Sequence, residues 1–466
     1  MGSLSTVQPF KEAIGLPGSD AHTTLLVGVI GSMYWIGVVA GALLVGWVSG
    51  YIGRRKAIVC ACITGFTIIP IFTALQSYAW AVTLRTLNGL ASGALDAACV
   101  TWSAETASHH HRGRAIGAEL AASAGGAALA YFTIFALSTQ QSGDVIFRLP
   151  IALQCAFILL VFCSIWFFPE SPRWLVSTGR IADASDILKY LEGKANADEN
   201  DENLEARVAE KIRLIEQAVE EEQRYNASTN YLAMLFRRDK FKTARRTWSA
   251  LFIQFSCQFL LGAGIVAAYG TEVFQQGGWS ASTSALVSGF TLLCSSIFGF
   301  VGAFLLADRM KRTVTMVWGA LGMALIVAMI GLCAHFAAKY IDTDPPLAKR
   351  YSIALMTLQL IWSSFLGLGW LWCAWTYPAE MFTAQSRAKG VSLGVIGFAL
   401  GAFMCNMVGA YIFAAIGHYS FFVICGMSVF VAAVCWLFMP ETRGITLEDA
   451  DHLFNSKGGS QVGFSV

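Results

Sequence analysis

Trp102-Ser-Ala-Glu105, followed seven residues after its glutamate by Arg112-Gly113, has a double further along the chain in Tyr377-Pro-Ala-Glu380, followed at the same interval by Arg387. Both the acids (380 − 105) and the arginines (387 − 112) stand 275 residues apart. A basic turn precedes each copy by two apolar stretches: Gly53-Arg54-Arg55-Lys56 in the first, and Asp308-Arg309-Met310-Lys311-Arg312 in the second, where the offset is 257 (311 − 54). A third pair closes each copy, Pro169-Glu170-Ser171-Pro172-Arg173 and Pro440-Glu441-Thr442-Arg443. Two repeats of one plan are therefore written into one chain, and repeats of this size set the architecture before any single motif is trusted.

Hydropathy says what the repeated unit is. Of 466 residues, 56% are hydrophobic and 13% charged, against roughly a quarter charged in an ordinary soluble domain. Stretches that meet the requirement of about 20 apolar residues per bilayer crossing run at 24–48, 57–77, 80–103, 115–136 and 147–168, and again at 248–271, 281–307, 314–337, 352–378, 389–416 and 418–439. Five and six make eleven spans. Between them, residues 169–247 are polar and charged, with Val208, Ile212 and Ile215 near helical spacing, as in soluble helices. Interior glycines such as Gly89, Gly93, Gly125, Gly126, Gly367 and Gly369 suit helices that approach closely in lipid. The expected fold is an all-α integral membrane protein of two repeated bundles. Its parts are a polar segment 1–22, a bundle 23–168, a cytoplasmic helical loop 169–247, a second bundle 248–439 and a tail 440–466.

Charge orients the spans, because basic loop residues stay on the cytoplasmic side. With residues 50–56 inside, 26 of the 32 lysines and arginines are cytoplasmic, which places the C-terminus inside and the N-terminus outside. A net charge of +2 recruits no nucleic acid. The 12 cysteines lie in apolar stretches and read as small buried hydrophobes, not metal ligands. His109-His110-His111 reads as a solvated basic cap, and Asn226-Ala-Ser228 is a glycosylation triplet on the wrong side of the membrane. No nucleophile motif, metal cluster or phosphate loop marks an enzyme, and no cofactor is expected. The first span, behind a polar stretch and carrying Trp35, Gly41 and Trp47, is not a cleaved signal. If the halves correspond, span 248–271 has no partner in the first half, which is expected to lack its first helix.

Six motifs in order carry a resemblance to the sugar-porter family of the major facilitator superfamily, of fungal type, over about residues 24–449. They are Gly53-Arg54-Arg55, Arg85, Glu105 with Arg112-Gly113, Pro169-Glu-Ser-Pro-Arg-Trp-Leu175, Glu380 with Arg387, and Pro440-Glu-Thr-Arg-Gly444. The resemblance implies a solute site near the midplane between two bundles that rock about it. The expected cytoplasmic gate comprises Arg54, Arg55, Glu105, Arg112, Glu170, Arg173, Arg309, Arg312, Glu380, Arg387, Glu441 and Arg443. Gly50 stands where the family usually has aspartate. The bland reading of these charges is that they are topology anchors at solvated helix ends.

Family solute contacts map here onto Gln258, Gly262 and Tyr269 of the seventh family helix, Trp375 of the tenth and, more weakly, Asn406 and Gln254. Phe259, Gly264, Ala268 and Leu120 replace other family contacts, which argues against naming glucose. Each retained residue also has a plain packing role open to it. Proton-coupled relatives use an aspartate of the first helix beside the arginine matched by Arg85. In its absence, the intramembrane charges are Arg85, Asp96 and Glu119. Asp96, eleven residues and about 16 Å from Arg85 along a helix, is no direct partner for it. It reads either as a proton or solute group or as a buried protonated acid, and Glu119 reads as a coupling acid or as one that snorkels to the cytoplasm. The leading expectation is a monomeric plasma-membrane carbohydrate carrier, for a sugar or polyol, working by alternating access with proton symport. The alternative is a non-transporting sugar sensor or a truncated, inactive paralogue.

Overall fold

The computed structural model describes residues 8–16, 21–107, 111–140, 143–196, 204–224, 230–264, 279, 281–383 and 386–443. Among these residues the secondary structure is helical throughout. The first half supplies α1 (Ala21–Ile52), α2 (Arg54–Thr73), α3 (Tyr78–Thr106), α4 (Arg112–Gln140) and α5 (Val145–Ser164). After the loop come α6 (Thr243–Phe255), α7 (Ala281–Val301), α8 (Arg312–Tyr340), α9 (Pro345–Phe365), α10 (Arg387–Ile416) and α11 (Ser420–Phe438). Nine helices among the described residues are long and apolar enough to cross a membrane. To these are added α3, which Arg85, Asp96 and Glu105 make less apolar, and α6, whose outer part lies outside the described residues.

Side-chain size explains the tightest contact. α1 and α3 cross with Gly37 and Gly41 against the backbone of Thr86 and Leu90, and with Gly89 and Gly93 against the backbone of Tyr34 and Val38. A Cβ at any of the four meets a main-chain atom, so only glycine allows this approach, which van der Waals packing then rewards in lipid. The halves meet through two matching helix pairs, α1 with α10 and α4 with α7.

Three membrane helices of the second half contain a π-helical turn: Ser256–Leu260 after α6, Gly302–Leu306 after α7, and Leu366–Leu371, which joins α9 to the helix Trp372–Met381. Such turns offset the register of the following side chains and gather at functional sites. At the end of the first of them the helix breaks: Leu261 is a turn residue and Gly262 has φ +84°, a conformation that favours glycine. Span 248–271 is thus interrupted, not continuous.

The loop folds as expected into soluble helices, Pro172–Ser177, Ile181–Asn196, Leu204–Arg224 and Tyr231–Phe236. The first three close a small core of Trp174, Leu175, Val176, Ala184, Ile215 and Val219. At the opposite end of the first bundle, the short helix Gln8–Ala13 inserts Phe10 edge-on to Phe147, with ring centroids 5.7 Å apart. The helix Gln8–Ala13 therefore closes the end of the first bundle away from the loop.

Candidate solute site and cytoplasmic gate

At the loop end of each half the repeat becomes a pair of matching charge clusters. In the first, Arg54 Nε lies 2.8 Å from Glu105 Oε2, and Ser171 Oγ donates to the same carboxylate at 2.5 Å. Glu170 caps the start of α2, accepting the backbone N–H of Arg54 at 3.0 Å and of Arg55 at 3.2 Å. In the second, Arg312 Nη2 lies 3.0 Å from Glu380 Oε1, Thr442 Oγ1 donates to Glu380 at 2.6 Å, and Glu441 accepts the backbone N–H of Arg312 at 2.8 Å and of Thr313 at 3.2 Å. Even the neighbours repeat. Trp102 Nε1 donates to the Pro169 carbonyl at 2.9 Å, and the hydroxyl of Tyr377, 275 residues on, donates to the Pro440 carbonyl at 2.6 Å. Charged helix N-termini and buried arginines explain the choice of residues: a carboxylate at a helix start accepts its free N–H groups, and a buried guanidinium needs a paired anion.

Two acids, Glu105 and Asp308, make ion contacts that join the charge clusters of the two halves. Arg387 of α10 brings Nη1 to 3.8 Å from Glu105 of α3, with both side chains fully buried. Arg114 of α4 brings Nε to 2.6 Å from Asp308, and His111 stands 4.0 Å from the same acid. Burial is the largest effect on Asp308 and raises its carboxyl above the usual range, opposed by Arg114, Arg312 and His111. Gly113 makes room for this contact, since a Cβ there would stand 3.0 Å from Asp308 Oδ1. The motif signal missed Asp308 and Arg114 as partners, although Asp308 lies in the quoted basic turn and Arg114 directly follows Arg112-Gly113.

The remaining gate positions spread outward. Arg112 donates from Nε to the Ala104 carbonyl at 3.0 Å, Arg55 reaches the Trp166 carbonyl at 3.0 Å, and Arg173 is half-buried on the first loop helix. Arg309 and Arg443 are exposed. The structural partner of Arg54 is therefore Arg312, which makes the offset of the basic turn 258 (312 − 54), one more than motif matching implies.

Above the gate, the candidate solute residues gather on α6, α10 and the helix after α9. Trp375 is buried, its ring centroid is 5.1 Å from that of Phe398, and Phe398 is in turn 5.9 Å from Trp35 of α1. Trp375 Nε1 is a buried donor with no acceptor among the described residues. Gln254 donates to the Ala374 carbonyl at 3.0 Å, which fixes α6 beside Trp375. One turn on, Gln258 is half-exposed within the π-helical turn and faces Gly264, whose Cβ would lie 3.0 Å from Oε1. Gly262 packs on Ile424 of α11, and Asn406 of α10 donates to the Ala402 carbonyl at 2.8 Å while facing Gly31 of α1. Tyr269 lies outside the described residues, as do His109, His110 and Asn226.

The intramembrane charges are linked in series: Tyr34 interacts electrostatically with both Arg85 and Asp96, and Asp96 with Glu119. Arg85 sits over the Tyr34 ring, 4.2 Å from its centroid, with Nε buried and without a hydrogen-bond partner among the described residues. Asp96 is on an exposed face of α3. Glu119 accepts a hydrogen bond from Ser103 of α3 at 3.1 Å, across the contact between α3 and α4.

Comparison with known proteins agrees with this architecture. The chain is 27% identical over 439 residues to the sugar transporter STL1 of Saccharomyces cerevisiae, covering 93% of this chain and 73% of that protein. It is 24% identical over 470 residues to the high glucose sensor RGT2 of the same yeast, covering 98% of this chain and 58% of the sensor. Among solved structures, the proton:xylose symporter XylE bound to 6-bromo-6-deoxy-D-glucose superposes with a TM-score of 0.81 at 21% identity, over 97% of this chain and 96% of that one. The inward open conformation of XylE from E. coli gives 0.66 at 20% identity, over 97% and 95%. The fold is thus that of the major facilitator superfamily, and the chain belongs to the sugar (and other) transporter family, whose model matches residues 1–454.

Proposed function

We propose that this chain carries a sugar or polyol across the plasma membrane by alternating access, with proton symport, as a monomer whose C-terminus is cytoplasmic. The observation that carries the reading is the doubled charge cluster with its cross-half contacts, Arg387 to Glu105 and Arg114 to Asp308. Ion pairs that span the two bundles close one end and break when the bundles rock, so the site opens to one side at a time. In this reading Gln258, Gly262, Tyr269, Trp375 and Asn406 contact the solute. The buried indole N–H of Trp375 donates to a hydroxyl, and its ring stacks on a sugar face. Arg85, Asp96 and Glu119 supply the coupling charges. Uptake of radiolabelled hexoses, pentoses and polyols into proteoliposomes at two pH values tests it. Uptake no faster than in empty liposomes, for every solute at both values, removes the reading.

One observation favours the second reading, a protein of sensor type that binds without turnover. In the second half α6 packs on α10 and its π-helical turn reaches α11. The corresponding surface of the first half, on α4 and α5, is not covered by any of the described residues: 22% of the apolar stretch of α4 and 17% of that of α5 are buried, against 61% for α10 and 33% for α11. A groove of about 290 Å³ runs there, lined by Asn88, Ser92, Thr133 and Gln154 among apolar groups. Beside it α4 exposes Ala122, Ser123, Gly126, Ala127 and Ala130, a small-residue face of the kind that receives another helix. We infer that a sixth helix belongs in this groove and that transport needs it. Photolabelling from the lipid phase at residues 122, 126 and 130 in cell membranes reads its occupancy. Labelling as strong as at the lipid-facing Leu160 means an open groove and favours the sensor reading.

A further inference from the structure

Of the seven histidines in the chain, two meet at the end of the second bundle away from the loop. His335 lies in the last two turns of α8, and His418 in the single turn Gly417–Tyr419 that joins α10 to α11. Gly417, at φ +52°, reverses the chain there, and Ser420 Oγ donates to its carbonyl at 2.8 Å, which fixes the turn. His335 Nδ1 and His418 Nε2 face each other at 2.9 Å although 83 residues separate them in sequence. Their ring centroids are 4.9 Å apart with the planes at 63°. Aromatic neighbours hold both rings from the side, Phe336 at 5.5 Å from His335 and Tyr419 at 4.3 Å from His418. Both imidazoles are half-buried, so water and small ions reach them.

We propose that His335 and His418 form a binding site for a divalent transition-metal ion of the copper and nickel class, which clamps α8 to the turn between α10 and α11. Neutral imidazole is the commonest protein ligand of such ions, and two rings on separate helices make a chelate. With metal–nitrogen bonds of about 2.05 Å, two nitrogens in cis at about 90° stand about 2.9 Å apart, whereas a tetrahedral pair stands about 3.3 Å apart. The observed 2.9 Å is therefore the bite of a tetragonal or octahedral ion, the geometry of Cu²⁺ and Ni²⁺. When the ion enters, the ring that holds the shared proton passes it through water to its own other nitrogen. Both facing atoms then present lone pairs, and no net proton is released. Among the described residues no group of three histidines, cysteines or acids forms a fuller ligand set, so water completes the coordination and the ion exchanges with the solution. α10 also packs against α1 of the first half, so the clamp bears on a helix that joins the two bundles.

Electron paramagnetic resonance of Cu²⁺ added to the untagged full chain tests the site. The native cysteines are replaced to prevent their oxidation, and His109→Gln, His110→Gln and His111→Gln remove a competing run of imidazoles. One ion per chain is expected to bind at about ten micromolar copper, with hyperfine splitting from two equatorial imidazole nitrogens. His335→Gln and His418→Gln are each expected to weaken binding about tenfold or more. In the same background Ni²⁺ is expected to raise the melting temperature in detergent by about 3 °C, and neither variant should show that rise. A pair that only hydrogen-bonds gives neither signal. Absence of a two-nitrogen copper spectrum in the parent overturns the proposal, and so does binding retained in either variant. The parent spectrum is decisive without any variant, and melting of the metal-free variants at the parent temperature shows that lost binding is lost ligation.

Discussion

Glu105→Gln isolates the charge that holds the halves together. The substitution keeps the side chain's size and leaves two arginines, Arg54 at 2.8 Å and Arg387 at 3.8 Å, facing an uncharged amide in a fully buried site. Arg54 is on the same half as Glu105 and moves with it, so losing that pair costs stability in both conformations. Only the Arg387 contact is broken by opening. At 3.8 Å and an effective dielectric of about 20 its attraction is about 4 kcal/mol. Rehydration of both groups on opening returns part of this, leaving ~2 kcal/mol as the bias toward closure, or roughly a thirtyfold change in the open population. Spin labels at Lys56→Cys and Arg309→Cys, exposed positions on the two basic turns, in the full chain with its native cysteines replaced, read that change as weight moved to the longer distance, and a thermal melt in detergent shows that the variant is folded. An unchanged distance distribution in folded protein refutes the reasoning, because the cross-half pair would then not contribute to closure.

Replacing either Gln258 or Trp375 with alanine is expected to abolish uptake of the carried solute with the fold retained; wild-type kinetics in both variants would remove them from the solute site. Asp308 predicts a pH dependence with a definite sign. Its carboxyl is held above the usual range, so on acidification it protonates earlier than an exposed aspartate and releases Arg114. The loop end should therefore open progressively as pH falls through that raised value and close again above it, and Asp308→Asn should flatten the spin-label titration. Gly41→Leu drives a side chain into the Leu90 backbone and is expected to cost about 3 kcal/mol or more, seen as a lower melting temperature in detergent. Gly28→Leu on the same helix, with nothing within 4 Å of its Cβ, should leave it nearly unchanged. Asp96→Asn is expected to leave counterflow of solute intact while removing the acceleration of uptake by a proton gradient; an unaltered response to the gradient would exclude Asp96 as a coupling acid.

Much of the protein was legible from one dimension because the properties that decide it are local or strictly repeated. An apolar run of bilayer length forms a helix in lipid whatever its neighbours do, since every backbone group must be bonded within the segment. The spans at 57–77 and 314–337 accordingly lie largely within Arg54–Thr73 and Arg312–Tyr340. The repeat at 275 identified Glu105, Glu380 and Arg387 without any coordinates, because duplicated helices keep their charged ends in step.

What the tertiary structure alone decided are pairings between residues far apart in the chain and departures from helical regularity. The extra residue in the basic turn leaves no hydropathy trace, so only the contact with Glu380 distinguishes Arg312 from Arg309. Gly262 is one glycine among 44, and its positive φ follows from how α6 ends against α11, not from its neighbours in sequence. Glu119 bonds Ser103, sixteen residues away, because α3 and α4 turn that face together. Tyr231 stands in a polar loop with no motif around it, yet its hydroxyl reaches Leu43, 188 residues earlier. Sequence alone determined that this is a twofold-repeated membrane bundle with charged inner ends, since burial in lipid is a property of each segment. Which charges meet is set by the distance between helices, a quantity that exists only once they have packed.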